Sequence, residues 1–239
     1  MEVLMAWRNV WRNPKRTILT VLAIAFACLI LIFMLSLQAG TYEVMINTAV
    51  KTQTGHVQVT AENYNEDHKI RKVVGDPGSV AAFLDKMPRV IAYGFRANGF
   101  ALISSDHRTY GGMITGIDPA LEPQISSIPS AIRDGRFLLP EDTNAAVIGA
   151  LLAKNLKIGV KDELVVLGSA MDGSIAAGVL EVKGIFSSGM DDYDRSGVQI
   201  PLAYFQEIFA MGESVHQVVG ICDSLWSVEG VQAQMSSQL

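Results

Sequence analysis

An uninterrupted apolar segment near the N-terminus constrains this chain more than any other feature. Residues 17–40 read TILTVLAIAFACLILIFMLSLQAG, and these 24 residues include no charged side chain. As an α-helix the segment reaches about 36 Å, which exceeds the roughly 30 Å hydrocarbon core of a bilayer. No second segment of this kind follows. The segment therefore predicts one transmembrane helix, and a single crossing excludes a polytopic channel.

The charges divide the chain at the same place. Residues 1–40 carry a net charge of +3, whereas the whole chain carries −5, so residues 41–239 carry −8. Basic residues that flank a membrane helix mark its cytoplasmic side. The N-terminus is therefore predicted to be cytoplasmic and the large remainder to lie outside. Because that remainder is acidic and has no basic stripe, nucleic acid is excluded as a partner.

A cleaved signal peptide is the alternative to a retained anchor. Signal peptides have an apolar region of roughly 7–15 residues and end in a small-x-small cleavage site. Here the apolar run is longer, and a site that ends at Ala39 would place Leu37 at a small-residue position. A lipoprotein signal at Cys28 fails as well, because Cys28 lies in the middle of the apolar run. These features favour the retained anchor.

The residues before the apolar segment, 1–16, predict a short cytoplasmic interfacial helix. Two tryptophans four positions apart fall on one helical face and arginines on the other, which suits a helix in the headgroup layer. The residues expected to anchor it are Trp7, Arg8, Trp11, Arg12, Lys15 and Arg16. A generic basic flank of a membrane helix is the alternative interpretation.

Hydrophobic periodicity predicts a mixed α+β domain after the membrane segment. Residues 41–51 contain no helix breaker and are expected to continue the membrane helix outward as a stalk. Strands are predicted at residues 56–60, 91–105, 109–117, 146–148, 163–168, 175–186, 198–200 and 215–221. Helices are predicted to begin near Pro77, Leu151, Pro201 and Trp226. A loop is expected at residues 62–72 and a turn at Asp134-Gly135.

The motifs of the common enzyme classes do not occur in the sequence. It contains no phosphate-binding G-x-x-x-x-G-K-[ST] loop, no H-E-x-x-H and no G-x-S-x-G. The four histidines are scattered and are expected to be surface or strand residues. The acidic cluster Asp191, Asp192 and Asp194 is interpreted as a solvated loop, because it lacks the glycine and terminal glutamate of a calcium loop. No catalytic residue, cofactor site or metal site is therefore predicted, and the chain is not expected to be an enzyme.

Several strings resemble one family of membrane proteins. AWRNVWRNPKRTILTVLAIAF (residues 6–26) and TGHVQV (residues 54–59) closely resemble the start of the permease subunits of lipoprotein-releasing (Lol-type) ABC transporters. Those permeases belong to the wider MacB/FtsX-like group, which has an extracytoplasmic core domain. AVIGALLAKNLKIGVKDEL, LEVKGIFSSGM and VQIPLAYFQEIF resemble the second half of that domain more loosely. The resemblance covers nearly the whole chain.

The resemblance implies an organisation in five parts. These are an elbow helix (1–16), a transmembrane helix (17–40), a stalk (41–54), a first lobe of a MacB-like periplasmic core domain (55–120 plus 214–239), and a second lobe inserted in the first (121–213). The first lobe is thus expected to be discontinuous. Family members normally have three further membrane helices after this domain, so the chain is expected to be either a fragment or the product of a shortened reading frame.

The resemblance also implies a transport function without catalysis in this chain. In the family, a cytoplasmic ABC ATPase dimer hydrolyses ATP, and its motion passes along the stalks to the outer domains (mechanotransmission). That motion releases or exports lipoproteins or other amphiphilic substrates. The stalk residues expected to carry it are Glu43, Ile46 and Lys51. The implied partners are the ATPase dimer, a second permease subunit in a homo- or heterodimer, membrane lipid, and a lipoprotein or its periplasmic carrier.

Two alternatives stay open at this point. A single-pass anchored sensor or binding domain, which reports an extracytoplasmic ligand, is the alternative to a permease, although residues 1–16 are too few to form an output module. Within the permease family, the resemblance favours lipoprotein release over drug or peptide export and over regulation of a cell-wall hydrolase. The expected location is the bacterial inner membrane.

Overall fold

The apolar segment forms a long helix that is exposed along its length. The computed structural model describes residues 12–224 and 227–238. Helix α1 runs from Pro14 to Ala49 over 36 residues, about 54 Å. In the described part of the chain, this is the one helix that is long and apolar enough to cross a membrane. Its apolar part is not buried in the protein. An apolar helix that packs against no protein core needs lipid to cover it.

The predicted continuation of this helix beyond the apolar segment is confirmed, and its outward direction and its role as a stalk stay predictions. Helix α1 passes residue 40 without a break and ends at Ala49. It is followed by a π-helical segment, Val50–Thr54, here called the π-turn. The chain divides into two compact units, residues 1–48 and residues 49–239. We call the second one the sheet unit.

Strands of the sheet unit form one mixed sheet. Within the described residues they are β1 Val57–Thr60, β2 Val90–Ser104, β3 Thr109–Ile117, β4 Ile132–Gly135, β5 Ala145–Gly149, β6 Glu163–Ser169, β7 Ile175–Phe186, β8 Gly197–Pro201 and β9 Gln217–Cys222. Their order is β1-β9-β2-β3-β8-β5-β7-β4, and β6 pairs with both β2 and β7. The β3–β8 and β5–β7 pairs are parallel and the other pairs are antiparallel.

Short helices connect and cover these strands. They are α2 Tyr64–Asp67, α3 Pro77–Leu84, α4 Glu122–Ile125, α5 Ala150–Leu156, α6 Asp191–Ser196, α7 Leu202–Ile208 and α8 Val228–Gln238. Helix α3 begins as predicted, because the Asp76 carboxylate accepts from the Ser79 amide (3.0 Å) and Pro77 occupies the first helical position. The strand predicted at residues 109–117 is confirmed as β3, and the predicted hairpin at residues 163–186 as β6 and β7.

The last strand pairs with strands that lie far from it in the sequence. Strand β9 pairs with β1 on one side and with β2 on the other, so it joins elements near the start of the sheet unit. Helix α8 packs Val231 and Met235 into a core that also contains Val57 and Leu84. The division into two lobes at residues 121 and 213 stays a prediction.

The two faces of strand β2 have different surroundings. Ala97, Ala101 and Ile103 belong to the larger apolar core, which Phe205 and Phe209 complete from helix α7 and its C-terminal end. Residues 96, 98, 100 and 102 alternate with these and therefore lie on the opposite face. That opposite face carries the candidate site.

Three local predictions were wrong. Asp134-Gly135 belongs to strand β4, which pairs with β7, and is not a free turn. Residues 62–72 contain helix α2 and are not a free loop. The Tyr64 side chain of this helix is buried. The acidic cluster at residues 191–194 forms the first turn of helix α6, where carboxylates interact favourably with the helix dipole. Within it, Asp194 is buried and accepts hydrogen bonds from the Ser188 amide (2.8 Å) and hydroxyl (2.7 Å).

Adjacent glycines in strand β3 provide a matched test of packing on its two faces. A Cβ on Gly112 would meet the Ile103 side chain and lie 2.6 Å from the Ser196 carbonyl oxygen, whereas a Cβ on Gly111 would meet nothing within 4 Å. We expect Gly112→Ala to lower the free energy of unfolding by about 1–3 kcal/mol. Gly111→Ala should change it by no more than about 0.5 kcal/mol. Urea unfolding of both variants checks this, and equal stabilities would contradict the packing of β3.

Candidate functional site

The predicted membrane anchor is described only in part. Lys15 and Arg16 lie in the first turn of helix α1, which begins at Pro14, and Arg12 lies just before it; all three are exposed. Trp7, Arg8 and Trp11 lie outside the described residues. The interfacial elbow helix therefore stays a prediction.

The predicted stalk residues lie along the end of the long helix. Glu43 and Ile46 belong to helix α1 and Lys51 to the π-turn. The π-turn packs against the rest of the sheet unit. Thr52 is 1% exposed, and its hydroxyl lies 3.3 Å from that of Ser127. The Gln58 amide donates to the Thr54 carbonyl oxygen at 2.7 Å. The chain that leaves α1 thus enters the sheet unit through buried and hydrogen-bonded contacts.

Five polar residues on neighbouring strands share one face of the sheet. We call this set the polar row; its members are Arg96 and Asn98 of β2, Thr115 of β3, Gln199 of β8 and Gln217 of β9. The registers pair Arg96 with Gln217, Asn98 with Thr115, and Thr115 with Gln199. Residues paired across strands point to the same face. The sheet therefore brings together side chains that lie up to 121 positions apart in sequence.

Hydrogen bonds connect the middle of the polar row. The Thr115 hydroxyl donates to Asn98 Oδ1 at 3.0 Å. The Asn98 amide group donates to Gln217 Oε1 at 3.1 Å and to the Tyr64 hydroxyl at 3.4 Å. Burial raises the pKa of Tyr64, so its hydroxyl stays neutral. This part of the row presents uncharged donors and acceptors.

A buried ion pair lies at one end of the polar row. Arg96 Nη2 lies 2.6 Å from Glu122 Oε1, and its Nε donates to Glu122 Oε2 at 3.4 Å. The two side chains are 4% and 1% exposed. Glu122 comes from helix α4, so the pair ties that helix to strand β2. A fork-to-fork arginine–carboxylate pair of this kind fixes geometry as well as charge.

The other end of the polar row is formed by Gln199 and Tyr193. Gln199 Nε2 donates to the Tyr193 hydroxyl at 3.3 Å. Burial raises the pKa of Tyr193 to about 12, so the phenol is neutral at physiological pH. Gln199 is 1% exposed and its Oε1 atom has no hydrogen-bond partner.

The five residues of the polar row, together with Tyr64 and Tyr193, line a cavity of about 380 Å³, here called the polar cavity. Its wall also includes Thr52 and Thr54 of the π-turn, and Phe100 and Met113 on the apolar side. Its polar groups are amides, hydroxyls, the imidazole of His68 and one charge, Arg96, that is paired within the protein. Such groups bind and orient a ligand, and they contain no nucleophile with an adjacent base. Over the described ranges, no group of three His, Cys, Asp or Glu residues could hold a metal ion.

His216 is fully buried and contacts the backbone of the polar row at Asn98. Its Nδ1 accepts from the Asn98 backbone amide (2.9 Å) and its Nε2 donates to the Ile70 carbonyl oxygen (3.0 Å). Its ring stacks on Tyr64 with 5.0 Å between centroids. Because Nδ1 is occupied as an acceptor, the ring cannot take up a second proton without losing that bond. Burial disfavours the charged form of the ring and lowers the pKa of His216 below its ordinary value.

The neutrality of His216 predicts a pH dependence of stability. Its pKa is lower in the folded protein than the ordinary value of 6.5, so below about pH 6.5 the unfolded chain binds a proton that the folded chain does not. Stability should therefore fall as the pH falls from 7 to 5, by up to about 1.4 kcal/mol per pH unit from this group. Urea unfolding at several pH values measures the slope. His216→Gln should flatten it and His107→Gln, in an exposed turn, should not; equal slopes in both would contradict this role.

The polar row is the main feature that sequence reasoning missed. Arg96, Asn98, Thr115 and Gln199 each lie between apolar residues or glycine, whereas Gln217 lies between His216 and Val218. Single polar residues within apolar strands are the signal that could have pointed to this set. The registers that place the members together are not visible in the sequence. The histidines were predicted to be surface or strand residues, and the buried His216 differs from that expectation.

Two solved structures resemble this chain at low sequence identity. One is the extracellular domain of the noncanonic ABC-type transporter YknZ from Gram-positive bacteria, with 14% identity, 64% of this chain and 76% of that chain covered, and a TM-score of 0.50. The other is the periplasmic region of MacB from Actinobacillus actinomycetemcomitans, with 13% identity, 75% and 81% covered, and a TM-score of 0.52. No curated protein sequence matches the chain. The predicted α+β architecture with an N-terminal apolar helix and a MacB-like core is confirmed.

The sequence itself matches a family over nearly its whole length. Residues 17–238 match the MacB-like periplasmic core domain. That match covers the apolar helix as well as the sheet unit. Domains of this family are non-catalytic parts of ABC transporter permeases, which work with cytoplasmic ABC ATPases. The chain therefore belongs to the MacB-like periplasmic core domain family of ABC transporter permeases.

Proposed function

We propose that this chain belongs to a permease subunit that couples ATP hydrolysis by a separate cytoplasmic ATPase dimer to release or export of amphiphilic substrates outside the membrane. The observation that carries the proposal is the continuity of helix α1 from Pro14 to Ala49 and into the π-turn, where Thr52 is buried. A continuous helix transmits a displacement along its axis, whereas a flexible linker dissipates it. The path from the membrane segment to the sheet unit is therefore suited to mechanotransmission.

The proposed orientation places the N-terminus in the cytoplasm and the sheet unit in the periplasm, with α1 in the bacterial inner membrane. The net charge of +3 on residues 1–40 and of −8 on the remainder supports it. In this orientation Arg12, Lys15 and Arg16 lie at the inner headgroups. A second permease subunit, identical or different, is the proposed lateral partner.

Lipoproteins are the proposed substrates, with a periplasmic carrier as their acceptor. The support is the resemblance of residues 6–26 and 54–59 to lipoprotein-releasing permeases. The exposed apolar side chains on the sheet unit fit a substrate with an acyl chain, since they offer it a surface to leave water.

A release assay tests this proposal. Cells depleted of the chain are labelled with radioactive palmitate and converted to spheroplasts, and labelled lipoproteins released to added carrier are counted. We expect release to fall at least tenfold and to recover when the chain is restored. Normal release together with increased sensitivity to exported drugs would assign drug export instead. Normal release, unchanged sensitivity and no co-purifying ATPase would contradict the permease role.

A further inference from the structure

Gln199 Oε1 is a buried acceptor that the protein leaves unpaired. Among the side chains that the structure describes, it is the buried oxygen or nitrogen atom without a hydrogen-bond partner. Buried polar atoms are nearly always paired, because water is lost without replacement when they are not. Gln199 is one of the residues that line the polar cavity. A buried acceptor that the protein leaves unpaired, on a side chain that lines a cavity, can be satisfied by a donor from outside the protein.

The other groups around the cavity indicate that this donor belongs to an uncharged molecule. The buried arginine of the cavity wall, Arg96, already faces the carboxylate of Glu122 at 2.6 Å. The other polar groups of the wall are amides and neutral hydroxyls, such as those of half-buried Asn98 and buried Thr115 and Tyr193, and the imidazole of His68, which is exposed to solvent. An ionised ligand would lose its hydration here without gaining an opposite charge. Hydroxyl groups, which both donate and accept, suit such a wall.

The polar cavity continues into an exposed apolar strip on the same face of the sheet. Phe100 and Met113 are paired in register and line the cavity mouth. Beyond them Leu102 is paired with Leu167. Phe100 is 69% exposed and Leu102 53% exposed. From Asn98 to Leu102 along β2, about 13 Å, the face therefore changes from polar and half-buried to apolar and exposed.

We propose that the polar cavity binds an uncharged amphiphile, with its hydroxyl-bearing head against Gln199 and the polar row and its alkyl chain over Phe100 and Leu102. A sugar head and a glycerol head share this chemistry. The assignment rests on the proposed function for its biological meaning, because it names a class of molecule that the sheet unit handles. Binding itself requires neither ATP nor the ATPase.

Direct binding to the full chain in phosphatidylcholine nanodiscs tests the proposal. The probes are hexyl β-D-glucoside and 1-O-hexylglycerol, which distinguish the two heads, and saturation-transfer NMR measures them against empty nanodiscs. We expect saturable binding of one or both, and at least tenfold weaker binding of hexyl glucoside whose hydroxyls are all O-methylated, because it has no donor for Gln199 Oε1. Absence of saturable binding by both probes, or equal binding of the methylated analogue, would overturn the proposal.

Variants separate the ligand contacts from folding. Gln199→Leu should weaken binding at least fivefold, whereas Gln124→Leu, an exposed glutamine outside the cavity, should leave it unchanged. If Gln199→Leu alone unfolds, Gln199→Leu with Tyr193→Phe removes both partners of the internal hydrogen bond and serves instead. Phe100→Ser, at an exposed position, should weaken the hexyl probes while the fold is kept. Unchanged binding in folded Gln199 and Phe100 variants would reject this site, even where the release assay supports export.

Discussion

Replacing Arg96 with alanine is expected to lower the free energy of unfolding of the sheet unit by about 3–5 kcal/mol. The substitution leaves the Glu122 carboxylate buried, 1% exposed, without the guanidinium that lies 2.6 Å away. A lone buried carboxylate has lost its hydration and has no compensating charge. Because a domain of this size is stable by only about 5–15 kcal/mol, the loss is a large share of the total. Urea unfolding of the full chain measures this loss of stability, with pulse proteolysis as the probe of how much of the sheet unit is unfolded at each urea concentration.

The surface pair Arg136–Asp142 provides the control for this prediction. Arg136 Nη1 lies 2.7 Å from Asp142 Oδ2, but the arginine side chain is 43% exposed. Arg136→Ala should therefore lower stability by about 0–1 kcal/mol. The double replacement Arg96→Met with Glu122→Leu should be less destabilising than Arg96→Ala, because no buried charge remains. If Arg96→Ala and Arg136→Ala were equally mild, the Arg96–Glu122 pair would not be a buried ion pair in solution.

Elements that depend on local patterns could be predicted from the sequence. Helix α1 follows from an uncharged run that is longer than a bilayer is thick, and nothing in the rest of the chain competes with it. Strand β3, residues 109–117, and helix α3 follow from alternation and from the Asp76-Pro77 cap. In each case the determining interactions lie within a few residues of one another.

The candidate site depends on pairings that no local pattern reveals. Thr115 and Gln199 are neighbours because β3 and β8 pair in parallel, and Asn98 meets Gln217 because β9 pairs with β2 across more than 100 residues. The sequence predicts a turn at Asp134-Gly135 because Asp-Gly is a common turn dipeptide. Gly135 does have a positive φ of 77°, but it lies in strand β4, and only the pairing with β7 shows this. Glu122 lies in a proline-rich stretch, and only the fold shows that it meets Arg96.

Proline at position 46 is expected to abolish export and to leave ATP hydrolysis by the partner ATPase nearly unchanged. Ile46 belongs to helix α1, which continues to Ala49 and then into the π-turn that holds Thr52 in the sheet unit. Proline lacks the amide proton that a helix interior needs, and its ring clashes with the carbonyl four residues earlier, at a cost of about 3 kcal/mol or more. The helix would bend at this point, and axial motion of the membrane segment would no longer reach the sheet unit.

The measurement pairs two activities of the same reconstituted complex, ATP hydrolysis and lipoprotein release to a carrier. For Ile46→Pro we expect hydrolysis within about twofold of the unaltered complex and release below about one tenth of it. Ile46→Ala is the matched control, because it removes the same side chain while alanine favours the helical backbone, and it should retain both activities. Because the two variants differ chiefly in backbone geometry, a difference between them identifies the continuous helix as the coupling element. Full release by Ile46→Pro would show that substrate moves without a rigid connection through helix α1, and a parallel loss of hydrolysis would show that the helix is needed for assembly and not for transmission.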